Sequence, residues 1–276
     1  MQKKDIAGVS PCSLERLHAI MLATLKAVDG VCRRRNLRYF LMDGTLLGAV
    51  RHGGFIPWDD DVDIAMPRED FEVFKAVAQA ELGPDYFVQT METDPAYRLY
   101  YIPLKVRDNH STLVEQYGQN YHQGVYVDVF PLDALTENEA RERKQKRTIY
   151  LFNVAKGPFR RDGFPSPKFF LRALLQLMGR LIPTALILRY IEKAKSANRR
   201  GVRSGRWTYG FETPWRKVFD GEDLFPLTEG EFAGERFFLP RRPDKVLETL
   251  FGDYMTLPPE GERHTHAKFY SDERVF

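Results

Sequence analysis

Apolar side chains recur at helical spacing in several segments of the chain. Between Ser13 and Arg35 they return every three or four residues, and Ser13 stands where a helix N-cap is expected. The stretch from Arg68 to Leu82 has the same periodicity and directly follows Pro67. These patterns predict helices over 13–35 and 68–82, with further helices over 137–150, 169–195 and 244–251.

Other segments have the pattern of strands. Asp61–Met66 alternates carboxylates with apolar residues, and Gly124–Phe130 is rich in Val, Tyr and Phe. We predict strands at 38–42, 61–66, 86–89, 99–107, 112–116 and 124–130. Because helices and strands alternate as far as about residue 135, the expected fold class is α+β. We expect a mixed β-sheet core flanked by helices over 1–135, and a mostly helical, partly irregular C-terminal lobe over 136–276.

The composition is that of a folded protein with no specialisation for nucleic acid. Hydrophobic residues make up 43% of the 276 residues, which excludes intrinsic disorder. Lys+Arg 41 against Asp+Glu 38 gives a formal net charge of +3, too balanced for a dedicated nucleic-acid binder. Cys12 and Cys32 are the two cysteines of the chain, too few for a disulfide scaffold. With no secretion signal in Met1–Ser10, we expect a soluble, cytoplasmic protein.

Asp61 and Asp63 form the most distinctive polar feature. Residues two apart on a strand project from the same face, so these carboxylates would converge on one point. Like charges so close force one group to take up a proton unless a divalent cation neutralises them. Mg²⁺ prefers one or two carboxylates together with substrate phosphates, so a magnesium site is predicted, with Mn²⁺ as the alternative ion. An acidic loop at a strand edge would also explain the pattern.

Two further features support a site for metal and phosphate. Gly44 and Thr45 follow a strand and open a short helix, where backbone N–H groups and a hydroxyl can bind a phosphate. Asp128 lies in the apolar run Tyr126–Phe130, where a charge is costly unless it is paired or bound to metal. Together with the two carboxylates above, Asp128 would complete a three-carboxylate metal site.

The order of these motifs resembles the nucleotidyltransferase superfamily. The string from Asp43 to Ile64, DGTLLGAVRHGGFIPWDDDVDI, resembles the LicD family in particular, which includes bacterial phosphocholine transferases and the fukutin-related enzymes of animals. Further matches are VDVFPLD at 127–133 and GDY at 252–254. The resemblance extends from about Ser13 to Pro259 and is strongest over 43–66. It implies a nucleotidyltransferase-like core.

The resemblance also implies a reaction. A phosphate-linked group, phosphocholine or a polyol phosphate, would move from a CDP-activated alcohol or other nucleotide donor to a cell-surface glycan or its lipid-linked precursor. Asp61 and Asp63 would hold Mg²⁺ against the donor diphosphate, and Asp128 would either ligate the metal or accept the proton of the incoming hydroxyl. Lys105 and Arg107 share one face of a predicted strand and would clamp donor phosphates. Solvated charges on an edge strand are the alternative for these two residues.

Three other functions stay open at this point. The first is transfer of a nucleoside monophosphate from a nucleoside triphosphate to a small acceptor. The second is metal-dependent glycosyl transfer, which lacks support because the carboxylates here follow Gly-Thr and a short helix. The third is a non-catalytic, glycan-binding relic of the fold, against which the retention of all three carboxylates argues.

Two segments lie outside this scheme. Phe169–Lys195 is amphipathic and basic, and predicts either a helical hairpin packed on the core or peripheral docking on an anionic inner membrane face. His264 and His266 are one residue apart and could bind a metal, although a solvated C-terminal tail is the preferred interpretation.

Overall fold

The computed structural model describes residues 8–97, 101–115, 119–156, 174–179, 181–199 and 203–275. The chain divides into two compact units. The first consists of Met1–Leu132 together with Phe219–Phe276, and the second of Asp133–Val218. The two domains predicted from the sequence, 1–135 and 136–276, would be parts of the chain that fold independently. They stay a prediction.

The described residues form helices and strands in mixed order. The helices are α1 (Leu14–Arg35), α2 (Asp43–His52), α3 (Arg68–Leu82), α4 (Glu139–Lys156), α5 (Thr184–Arg199), α6 (Gly221–Leu224) and α7 (Pro243–Phe251), with a 3₁₀ turn at Glu260–Glu262 and a helical segment at 174–179. The strands are β1 (Phe40–Leu41), β2 (Asp63–Pro67), β3 (Tyr86–Gln89), β4 (Leu104–Asp108), β5 (Thr112–Val114), β6 (Tyr126–Thr136), β7 (Arg203–Tyr209), β8 (Val218–Asp220), β9 (Thr228–Phe232), β10 (Glu235–Leu239) and β11 (Phe269–Ser271).

The first unit is built on a mixed sheet with the strand order β1-β2-β6-β4-β3. β2 and β6 run parallel, whereas the other neighbouring pairs in this order are antiparallel. β2, β4 and β6 lie inside the sheet, so their side chains are buried almost throughout. Two small antiparallel pairs, β9 with β10 and β5 with β11, complete the unit.

The helices of the first unit follow from local sequence signals. The Ser13 hydroxyl accepts a hydrogen bond from the backbone N–H of Arg16 and caps α1, which ends at Asn36 in a left-handed conformation. α1 buries an apolar stripe that includes Leu17, Met21 and Leu25. α1 and α3 pack on each other, α1 also contacts β4, and α3 contacts β2 and β3.

The second unit combines helices α4 and α5 with strand β7. The buried Lys146 ammonium of α4 donates hydrogen bonds to the backbone carbonyls of Tyr209 at 2.6 Å and Gly210 at 2.7 Å. The Asp133 carboxylate accepts a hydrogen bond from the backbone N–H of Phe211 at 2.8 Å. Leu135, Ala194 and Phe211 form a buried apolar cluster in this unit. Side-chain hydrogen bonds to backbone therefore fix the segment after β7.

The α+β class and the mixed sheet are confirmed. The helix predicted at 68–82 has the same bounds in the structure, but β2 begins at Asp63 and β6 continues through Pro131 to Thr136. A mostly helical C-terminal lobe is not confirmed, because β7 to β11 lie in that half of the chain. Part of the helix predicted at 169–195, residues 169–173 and 180, lies outside the described residues. A nucleotidyltransferase-like topology stays a prediction.

Among the described residues, none of the helices combines the length and the apolar character that crossing a membrane requires.

The packing at Gly48 gives a testable prediction about the helix that opens the candidate site. A Cβ at Gly48 would collide with the carbonyl oxygen of Gly54 and stand 3.3 Å from the amide nitrogen of Ile56. We expect the collision in Gly48→Ala to lower the free energy of unfolding by about 1–3 kcal/mol. The higher helix propensity of alanine would offset up to about 1 kcal/mol of this loss. Urea unfolding measures the change. In Gly261→Ala the new Cβ meets no atom within 4 Å, and an equal loss in this control would contradict the packing argument.

Candidate functional site

Strand register places three of the predicted residues in one row across the sheet. Asp63 on β2 pairs directly with Asp128 on β6, and Asp128 pairs in turn with Lys105 on β4. Residues opposite each other on neighbouring strands project from the same face, so the three side chains share one face of the sheet. Asp63 and Asp128 are buried, and Lys105 is fully buried.

Two further carboxylates come from the chain just before β2. Asp59 and Asp61 are half-buried, and their carboxylates lie near enough to each other to interact electrostatically. Asp59 also lies against the start of α2, where a Cβ at Gly44 would stand 2.8 Å from Asp59 Oδ2. Glycine is therefore the residue that permits the close approach of this carboxylate to the helix.

Burial and repulsion between neighbouring carboxylates dominate the electrostatics of this group. Burial raises the pKa of Asp61 and of Asp63 well above the usual range, and the neighbouring carboxylates raise it further. For Asp63 these neighbours include Asp61, Asp43 and Asp128. Burial also raises the pKa of Asp59 to about 6. The geometry therefore favours either bound protons or a bound cation at this point.

The N-terminus of α2 is joined to β2 through a side chain. The Thr45 hydroxyl accepts a hydrogen bond from the backbone N–H of Asp63 at 2.8 Å, and Thr45 is buried. Asp43, the first residue of α2, has a φ of 47° in the left-handed region. Gly44 and Thr45 thus lie beside the carboxylates, and their binding of a phosphate stays a prediction.

Lys105 neutralises Asp128 in this structure. Its Nζ lies 2.8 Å from Asp128 Oδ1 and 3.0 Å from Oδ2, but only the Oδ2 contact has hydrogen-bonding geometry. The ammonium also stands 3.4 Å from the centre of the Tyr126 ring, a cation–π contact. Burial raises the pKa of Asp128 to about 6, although the Lys105 charge lowers it. Asp128 Oδ1 is therefore a buried carboxylate oxygen that accepts no hydrogen bond from the described residues.

Arg107 belongs to the same buried network. Its guanidinium donates to Gln89 Oε1 at 2.6 Å, to the Gly124 carbonyl at 2.8 Å and to Glu115 Oε2 at 3.3 Å. Burial alone would raise the pKa of Glu115, but the charges of Lys105 and Arg107 outweigh it and lower the pKa to about 2. The alternative of solvated charges on an edge strand is wrong, because β4 lies between β3 and β6. A phosphate clamp by Lys105 and Arg107 stays a prediction.

The C-terminal segment reaches the acidic motif through Asp60. This buried carboxylate accepts a hydrogen bond from the backbone N–H of Ala267 at 2.5 Å, and its Oδ1 lies 3.3 Å from His266 Nδ1. Asp59, Asp60 and His266 offer ligand atoms that all lie within 4.8 Å of one another, a second arrangement that could hold a cation. The side chain of His266 is well exposed, as expected if the C-terminal segment is a solvated tail. Its contact with Asp60 is not part of that interpretation.

Sequence reasoning missed several members of this site. Glu115 carried no motif, and only the fold brings it to Lys105. Tyr126 stood in the apolar run around Asp128, but its contact with Lys105 also depends on the fold. Asp43 stood inside the recognised string, but its proximity to Asp63 required the turn between β1 and α2. The pair His264 and His266 did signal the C-terminal segment, although not its contact with Asp60.

Comparison with known proteins finds similarity to the LicD family. The sequence model described as "LicD/FKTN/FKRP, nucleotidyltransferase domain" matches residues 36–168. The lipopolysaccharide cholinephosphotransferase LicD of Haemophilus influenzae is 27% identical over 262 residues, which cover 92% of this chain and 96% of that protein. Residues 36–168 thus match the LicD family model, and nearly the whole chain is similar to a bacterial LicD protein.

Animal proteins match the chain over a shorter region. The ribitol 5-phosphate transferases FKRP of Mus musculus and Homo sapiens are each 42% identical over 73 residues. These residues cover 26% of this chain but 14% of each animal protein. The chain therefore shares a local region with the animal transferases and nearly its whole length with the bacterial one.

The Lys105–Asp128 pair generates a stability prediction. Lys105→Met leaves a buried carboxylate without its counter-charge, and we expect a loss of about 3–5 kcal/mol in the free energy of unfolding. The double variant Lys105→Met/Asp128→Asn should recover part of this loss, since the uncompensated charge is gone. Denaturant unfolding at neutral pH without added metal measures both.

The matched control is Lys75→Met, which breaks the surface pair of Lys75 with Glu92 at 2.9 Å. An exposed pair contributes about 0–1 kcal/mol. If Lys105→Met cost no more than Lys75→Met, or if Asp128→Asn brought no recovery, the buried pair would not have the role assigned to it.

Proposed function

We propose that this chain transfers a phosphate-linked group, phosphocholine or a polyol phosphate, from a CDP-activated alcohol to a hydroxyl of a cell-surface glycan or its lipid-linked precursor. The observation that carries the proposal is the group of carboxylates formed by half-buried Asp61 and buried Asp63 and Asp128, whose pKa values are all raised. The near full-length similarity to a lipopolysaccharide cholinephosphotransferase supports the class of reaction.

The donor set suits a magnesium-dependent reaction. Asp61, Asp63 and Asp128 supply oxygen ligands, and Asp128 Oδ1 accepts no hydrogen bond from the described residues. Carboxylates are the ligands that Mg²⁺ and Mn²⁺ prefer. When bound there, the ion supplies positive charge against the donor diphosphate. Asp59, Asp60 and His266 offer a neighbouring set of ligand atoms, which includes an imidazole, a ligand that suits transition metals such as Zn²⁺ or Fe²⁺.

The chain's own residues orient the reactants. The hydrogen bond from the Asp63 N–H to Thr45 holds the start of β2 against α2, whose N-terminal N–H groups are suited to a donor phosphate. Asp128 either ligates the metal or accepts the proton of the attacking hydroxyl. Its contact with Lys105 fixes the carboxylate in place in the absence of metal. Direct contact of Lys105 with a donor phosphate would require this pair to open.

A second candidate function is transfer of a nucleoside monophosphate from a nucleoside triphosphate. The observation that favours it is the family description itself, which includes the words "nucleotidyltransferase domain". Both reactions use in-line displacement at phosphorus with charge neutralisation, so the carboxylates suit either. The two differ in which phosphate is attacked and therefore in the product released.

Purified protein incubated with a panel of CDP-alcohols and nucleoside triphosphates, with Mg²⁺ and a glycan acceptor, separates the two functions. The proposal predicts CMP from at least one of CDP-choline, CDP-ribitol or CDP-glycerol. Asp63→Asn removes a negative ligand at nearly constant volume, and we expect turnover to fall at least about a hundredfold.

Asp85→Asn is the matched control, because Asp85 is an exposed carboxylate paired with His110. The turnover of this variant should match that of the unmodified protein. Pyrophosphate from a nucleoside triphosphate, with no CMP from any CDP-alcohol, would establish the second function instead. Full activity in Asp63→Asn would contradict the metal site.

A further inference from the structure

The charge of the chain is divided very unevenly between its two units. Residues 133–218 contain 20 of the 41 Lys and Arg residues but only 7 of the 38 Asp and Glu residues, a formal charge of +13. The remaining residues carry −10. The near-neutral total therefore conceals a strongly basic second unit, whose positive potential attracts anionic partners.

The same unit exposes an apolar stripe on a helix. Leu174, Leu177, Met178 and Leu181 follow the i, i+3, i+4, i+7 spacing that places side chains on one helix face, and 54–82% of each is exposed. Gln176, on the opposite side, is buried. This arrangement is the reverse of an ordinary surface helix, which exposes its polar face.

The neighbouring helices extend this surface and add positive charge. On α5 the inward face is formed by Ile187 and Ile191, which are buried, while Leu186, Arg189 and Lys193 are exposed at i, i+3 and i+7. On α4 the exposed residues include Lys144, Arg147, Tyr150 and Leu151.

The three helical segments are packed together. A Cβ at Gly179 would collide with the carbonyl of Ala155 on α4, and the rings of Phe152 and Tyr190 join α4 to α5 at 5.8 Å. The exposed apolar and basic side chains therefore belong to neighbouring helices of one unit.

We propose that the helical surface of the second unit, formed by 174–179, Leu181 and the exposed faces of α4 and α5, docks on an anionic lipid bilayer. Exposed leucines beside lysines and arginines are the combination that binds such an interface, because the apolar groups insert while the cations contact lipid phosphates. Nucleic acid would use the positive charge but would gain little from the leucines. A second copy of this chain that docked through the same unit would bring the same +13 charge and repel it.

Co-sedimentation with vesicles tests the proposal on the full chain. Vesicles of phosphatidylcholine with phosphatidylglycerol should bind the protein, and vesicles of phosphatidylcholine alone should bind it much less. Leu177→Ser/Leu181→Ser should weaken binding at least about tenfold, and Arg189→Gln/Lys193→Gln should weaken it and reduce its salt dependence. Thermal unfolding should change little in either variant, because the substituted side chains are exposed.

Met255→Ser/Leu257→Ser is the matched control, since both residues are exposed apolar side chains of the first unit. Vesicle binding by this double variant should equal that of the unmodified protein. Three results would overturn the proposal: no binding to anionic vesicles, an equal loss in the control, or binding to an oligonucleotide in place of vesicles. Conversion of a dimer to a monomer by the leucine variant, without vesicle binding, would assign the surface to a second copy. The vesicles contain neither donor nor acceptor, so the outcome is independent of the proposed transfer reaction.

Discussion

Repulsion between buried carboxylates is the constraint on which the candidate site depends. Burial makes a negative charge costly, and here several such charges are brought together by backbone pairing that leaves them no freedom to separate. The parallel pairing of β2 with β6 fixes Asp63 beside Asp128. The raised pKa values of Asp61 and Asp63 express the resulting cost. A site of this kind is stable when protons or cations are bound to it.

The surrounding structure supplies part of the compensation and keeps the rest available. Lys105 neutralises Asp128, and Lys105 is itself held by Glu115 at 3.4 Å and by the Tyr126 ring. No equivalent cation among the described residues pairs with Asp61 or Asp63. The positive charge that these two carboxylates lack is the charge that a donor complex with a divalent cation would bring. In the proposed reaction, the protein therefore supplies one part of the compensating charge, and the donor complex would supply the rest.

The sequence predicted the local parts of this arrangement well. Three features depend on neighbours along the chain: the Asp-x-Asp motif, the helix start at Gly-Thr and the helix at 68–82. The spacing of residue types in the sequence was therefore enough to indicate them. The family resemblance rested on such local strings and is confirmed by comparison with known proteins. The order of strands is not local, and the sequence therefore could not reveal that Lys105 lies opposite Asp128 in an internal strand.

The same limit explains two other differences. Lys105 and Arg107 were open to interpretation as edge-strand charges, because nothing in their own strand indicates the neighbours on either side. The approach of His266 to Asp60 joins residues some two hundred positions apart through one backbone hydrogen bond from Ala267. Such contacts depend on the path of the whole chain rather than on any motif.

The central claim is that buried carboxylates hold protons which a divalent cation displaces. Because folded-state pKa values of about 6 for Asp59 and Asp128 lie above the usual value, these groups are partly protonated near pH 6.5. Calorimetric titration of the metal-free protein with Mg²⁺ at that pH, in two buffers of different ionisation enthalpy, measures the protons released on binding. The account predicts saturable binding whose heat differs between the buffers. Absence of binding, or the same heat in both buffers, would contradict it.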